Sequence, residues 1–194
     1  HYRLNSSCSI GISLCPEDSA ESYILLRNAD TAMYHAKARG GNVWQFFTSA
    51  MNEQAHSRLT LENELRRAIS NHEFELWYQP QVRTTDNHLI GAEALLSWRH
   101  PTAGMVSPAD FIPIAEETGL IRDIGDWALQ EACRTFSRWN EQYGLNLTIA
   151  VNVSVRQLDD EFVLRVQEVL HQTGLPARHL ELEITESLLM DNVQ

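Results

Sequence analysis

The chain has 194 residues, enough for one large domain or two small ones, and its 43% hydrophobic and 21% charged content is that of an ordinary soluble globular protein. A formal net charge of −11 argues against a nucleic-acid polymer as partner, because neutralising phosphates takes clustered Lys and Arg; a small anionic ligand held through metal ions stays compatible. Apolar runs fall short of a membrane span, no signal peptide begins the chain, and Cys8, Cys15 and Cys133 lack the spacing of a disulfide framework or zinc knot. These features indicate a reduced, cytoplasmic compartment, with any membrane anchor in segments outside this chain.

Residues 4–14, rich in Ser, Ile and Cys, predict a strand. Asp18 and Glu21 suggest a capping box for a helix starting near Ala20. Leu25, Ala29, Ala32, Met33 and Ala36 give that helix one apolar face, and Gly40-Gly41 ends it. Residues 43–47 predict a second strand. Such a strand–helix–strand piece, residues 1–48, is too small to bury both faces of its helix and reads as the end of a larger domain. Residues 49–71 carry no Pro or Gly, and Leu61, Leu65, Ala68 and Ile69 form a stripe at helical spacing, which predicts a linker helix. From residue 72 onward strands and helices alternate. Strands are expected at 74–82, 89–98, 147–154 and 180–185. Helices are expected after Ser107-Pro108 up to Gly119, from Ile124 to Gly144, and from Leu158 to Thr173. The alternation predicts an α/β fold with a mostly parallel sheet or an α/β barrel. A complete barrel takes roughly 250 residues and eight strands, so the sequence reads as cut at both ends.

Three of these strands each carry an oxygen ligand: Glu93, Asn152 and Glu183. Side chains alternate between the faces of a strand, which puts Asn152 and Ser154 opposite Val151, Val153 and Val155. The same alternation puts Glu181, Glu183 and Thr185 opposite Leu180, Leu182 and Ile184. Parallel strands would bring Glu93, Asn152 and Glu183 together at the carboxyl edge of the sheet. Carboxylate and amide oxygens suit magnesium or manganese, whereas zinc prefers His and Cys. Each residue also has an ordinary reading. A Glu beside a strand is more often exposed or salt-bridged, Glu181 and Glu186 are compatible with surface acids, and Asn152 alone with a turn or cap. His100 reads as a loop residue, and Trp127, Phe136 and Trp139 as core. On the residues alone, both readings stand.

Several segments resemble the EAL domain, the bacterial phosphodiesterase module for cyclic di-GMP. They are Tyr78-Gln79-Pro80, Glu93-Ala94-Leu95-Leu96, Ser107 to Ile112, Ala115 to Ile121, Asn152-Val153-Ser154 and Glu183 to Glu186, spread from about Leu59 to Gln194. Residues 1–48 resemble the tail of a GGDEF (diguanylate cyclase) domain, through Ser9 to Ile12 and Ala29 to Lys37. The resemblance implies the N-terminal half of a modified (β/α)8 TIM-like barrel over residues 72–194, within a tandem GGDEF–EAL protein that hydrolyses cyclic di-GMP to the linear dinucleotide. In that scheme Glu93, Asn152 and Glu183 hold Mg2+ or Mn2+. Glu186 steadies a loop bearing further ligands, and Gln79, Leu95 and position 97 meet the nucleotide.

Three departures accompany the resemblance. Ser97 stands where the family usually has an Arg on ligand phosphate, and losing such a charge-assisted bond costs about 1.5–3 kcal/mol; Arg99 is not assumed to replace it. The family's paired Asp segment, its catalytic Lys, and a later Glu and Gln would lie beyond Gln194, so the isolated chain is expected to be inactive. The cyclase-like piece lacks the signature loop and has Gly41 where an Arg is common, although Lys37 matches a phosphate-contacting position. The alternative is a degenerate EAL domain acting as a non-catalytic cyclic di-GMP receptor or regulatory module. A homodimer could cover core faces that half a barrel would expose.

Overall fold

The computed structural model describes residues 7–38 and 40–184. The chain divides into two compact units, His1–Leu61 and Glu62–Gln194. In the first, β1 (Ile10–Ile12) pairs in parallel with β2 (Trp44–Phe46) across α1 (Ser22–Ala38). Ala32 and Ala36 are fully buried on the expected face, and Asn28 joins them at 2% exposure. The expected capping box does not form. The Asp18 carboxylate turns back to accept from Leu14 N at 2.7 Å, Glu21 N donates to Ser19 Oγ, and the helix begins later, at Ser22. Gly11 lies so close to α1 that a Cβ there would sit 1.9 Å from Ala29 O.

The helix α2 (Ser49–Ala68) runs from one unit into the other, and its last turns bury Leu65 and Ala68. The second unit is built on a five-stranded sheet of order β3 (Phe74–Val82), β4 (Leu89–His100), β6 (Thr148–Val153), β7 (Leu180–Ile184), with the short β5 (Gly104–Val106) paired to β4. The pairs β4–β6 and β6–β7 are parallel, as expected; β3–β4 and β4–β5 are antiparallel. The sheet is therefore mixed. Only residues 83–88 separate β3 from β4, too few for the crossover that a parallel pair requires.

Between the strands lie α3 (Pro108–Thr118), α4 (Ile121–Tyr143) and α5 (Phe162–Thr173). Ser107 caps α3 by accepting from Ala109 N, with Pro108 at the first turn and Gly119 closing the helix at φ 79°. Both α4 and α5 end on glycines in the left-handed region, Gly144 and Gly174. The helix expected from Leu158 starts only at Phe162, because a 3-10 turn over Val155–Gln157 follows β6 first. The core lies against one face of the sheet. There Ala92, Ala94, Ile149 and Val151 meet Leu129, Ala132, Cys133 and Phe136 of α4, with Leu180 and Leu182 packed alongside. A second aromatic group, Phe74, Trp98, Phe111 and Trp127, fills the end near α3. His100 is not a loop residue. It ends β4 at 7% exposure, its Nδ1 accepting from Ala103 N and its Nε2 3.3 Å from Glu64 of α2.

Candidate metal centre

With Ala92 and Ala94 committed to the core, alternation turns Glu93, Leu95, Ser97 and Arg99 to the opposite face of β4. Register then sets Gln79 beside Glu93, Trp77 beside Leu95, and Glu75 beside Ser97. On the parallel side Glu93 pairs with Ala150 and Ala150 with Glu181, while Asn152 pairs with Glu183 two residues nearer the carboxyl ends. The Asn152 side chain spans this offset and donates from Nδ2 to Glu93 Oε1 at 2.7 Å. Glu183 lies close enough to feel its neighbours. Burial, then the charges of Glu93 and Glu181, push its carboxyl above the ordinary range.

Glu93, Asn152 and Glu183 are thus brought to one place, as the sequence suggests. Ser154 is not on their face: β6 stops at Val153, and Ser154 turns into the structure at 7% exposure. Glu186 and Thr185 lie outside the described residues. Gln79 and Leu95 are exposed on the site's face. Ser97 pairs with Glu75, whose carboxylate receives Trp77 Nε1 at 2.9 Å and Arg99 Nη2 at 3.0 Å. The Trp77 and Arg99 bonds hold the Glu75 carboxyl below its usual range. Arg99 is already engaged, on the same face as Ser97, by an acid that sequence reading passed over. Alternation from Gln79 back to Glu75 was the available signal.

Among the described residues no three His, Cys, Asp or Glu side chains gather as a cation cluster. The donor set is two carboxylates and one carboxamide. All three donors are hard oxygens, and the charges of Glu93 and Glu181, which add to burial in raising Glu183, are what a divalent cation would offset. The residues present therefore fit magnesium or manganese.

Residues 62–194 match the EAL domain family. The chain belongs to it. It is 43% identical over 190 residues to the Pseudomonas aeruginosa bifunctional diguanylate cyclase/cyclic di-GMP phosphodiesterase MucR, which covers 97% of this chain and 28% of that protein. To the Escherichia coli cyclic di-GMP phosphodiesterase PdeR it is 38% identical over 188 residues, 96% of this chain and 28% of the relative. Among solved structures, the PaMucR phosphodiesterase in complex with c-di-GMP superposes with a TM-score of 0.65 at 41% identity, covering 69% of this chain and 54% of the other. The EAL enzyme Bd1971 in its cGMP-bound form gives 0.65 at 28% identity, covering 88% and 48%. The EAL chain described here spans just over a quarter of the length of MucR and PdeR. No helix among its described residues is long and apolar enough to cross a membrane.

Proposed function

We propose that these residues are part of a divalent-metal-dependent phosphodiesterase that hydrolyses cyclic di-GMP to the linear dinucleotide. The observation that carries this reading is the meeting of Glu93, Asn152 and Glu183 on the sheet face opposite the helices, in a chain of the EAL family. Glu93 and Glu183 would hold Mg2+ or Mn2+ through carboxylate oxygens and Asn152 through its amide oxygen, with Glu186 supporting the neighbouring loop. Holding the ion requires Asn152 to turn its oxygen inward, exchanging the amide N–H now given to Glu93. When bound, the ion would polarise a phosphoryl oxygen and lower the pKa of a coordinated water. Gln79 and Leu95 line the approach from β3 and β4, where the nucleotide would lie.

A tandem arrangement, with residues 1–48 as the tail of a GGDEF domain and 72–194 as the first half of a barrel, belongs to the same proposal. So does inactivity of the 194 residues by themselves. A receptor reading is favoured by one observation: Ser97 offers no cation, and Arg99 is paired to Glu75. The retained oxygen donors favour the enzyme.

The test is product formation from cyclic di-GMP with magnesium or manganese, by the full-length protein that contains these residues. Linear dinucleotide is expected, falling at least about a hundredfold in Glu93→Ala. Tight binding of cyclic di-GMP without product would make it a receptor. Turnover by the isolated 194 residues would refute the inactivity of the fragment.

A further inference from the structure

Asn152 is exposed, and its carboxamide donates to Glu93 Oε1 at 2.7 Å. Two residues on, the Ser154 hydroxyl donates to Glu116 Oε1 of α3 at 2.6 Å and accepts from Arg156 N at 3.3 Å. The backbone N–H of Ser154 donates to Gln157 Oε1 at 3.0 Å, completing a capping box. Gln157 is 3% exposed and lies flat on α4 at Gly125, where a Cβ would fall 2.0 Å from its Nε2. Farther along, Asp159 is paired to Arg122 at 2.7 Å and to Arg165 at 3.0 Å. The turn that ends β6 is therefore tied to α3, α4 and α5. Only one of these ties, the Glu116 carboxylate, fixes the direction of the buried Ser154 hydroxyl.

From this we infer that Glu116 is a positioning residue for Asn152: it holds Ser154, and through it the last two residues of β6, so that the carboxamide faces Glu93. The inference rests on the reading of Glu93, Asn152 and Glu183 as a metal centre, but its first readout needs no metal. A carboxylate is well suited to the role because it accepts without donating, which forces the hydroxyl proton toward α3 and leaves the oxygen for Arg156 N.

The experiment uses the 194-residue chain, free of metal, and follows the side-chain amide signals of Asn152 by NMR. In the parent they are expected to be dispersed by the bond to Glu93; in Glu116→Ala they should move toward the values of a solvated amide, and Glu116→Gln, which keeps an acceptor oxygen, should restore them. Manganese binding, read by the free-ion EPR signal, should weaken about tenfold or more in Glu116→Ala and recover in Glu116→Gln. If Asn152 signals are the same in Glu116→Ala as in the parent, the inference is overturned. If they move but the parent binds no manganese, Glu116 positions Asn152 and the metal reading fails instead. Should Glu116→Ala not fold by circular dichroism, Ser154→Ala removes the same bond from the other side and decides by the same signals.

Discussion

At Glu183 and Cys133 burial acts in the same direction, raising the carboxyl and the thiol alike. Burial pushes the Cys133 thiol up to about 12, while Cys8 and Cys15 are exposed. At pH 8 a disulfide reagent should therefore modify Cys8 and Cys15 in the native chain and reach Cys133 only on unfolding; rapid labelling of Cys133 in the native state would contradict the packing. For Glu183, burial comes first, then Glu93 and Glu181. A carboxyl raised in the folded state binds its proton more readily there than in the unfolded chain. Its contribution to stability is present below the unfolded value and is lost as pH rises through the raised one. A carboxyl-carbon NMR titration of the metal-free chain should place Glu183 above an ordinary glutamate, and Glu181→Gln should lower it. The proximity of Glu93, Asn152 and Glu183 was legible in the sequence because each places an oxygen-bearing side chain in an otherwise apolar strand. The pairing of Arg99 with Glu75 and the bond of Glu116 to Ser154 were not, because each joins two elements whose approach only the fold reveals.

Among the elements, β4 is the one on which the site depends. It is hydrogen-bonded to three other strands, and at Gly91 it lies close against β6, where a Cβ would sit 2.3 Å from Thr148 O. That oxygen is backbone and cannot swing aside. Gly91→Ala should cost about 1–3 kcal/mol, seen as a lower urea midpoint at unchanged slope, and should loosen Glu93 two residues on. A full-stability Gly91→Ala chain would mean that β4 and β6 part without cost. At this scale, Ser107-Pro108 and the closing glycines announced the helix ends. The hairpin nature of β3–β4 was implicit in the short 83–88 segment but was outweighed by the overall strand–helix alternation. The break after Val153 was hidden because Val155 continues the apolar period while its backbone has already turned into the 3-10 segment.

For the molecule as a whole, the second unit is a sheet with two chemically distinct faces, one packed under α4 and α5, the other carrying Glu93, Asn152, Glu181 and Glu183. An ion that binds only the folded form shifts the unfolding equilibrium. Manganese at about a hundred times its Kd should stabilise the chain by about 2.7 kcal/mol. Calorimetry should show that rise in Tm, and Glu93→Ala should abolish it; an equal rise in the variant would place the ion elsewhere.

Glu93 lies between Ala92 and Ala94, which are 6% and 5% exposed in the packed core. Were β4 to slide by one residue along β6, the alanines would turn out to solvent and the carboxylate would be driven in among Phe136, Cys133 and Leu129. An uncompensated charge there is among the worst errors a sheet can make. The mispaired register is thus disfavoured whatever the site binds, and Glu93 serves as a proofreading mark while the strands find one another.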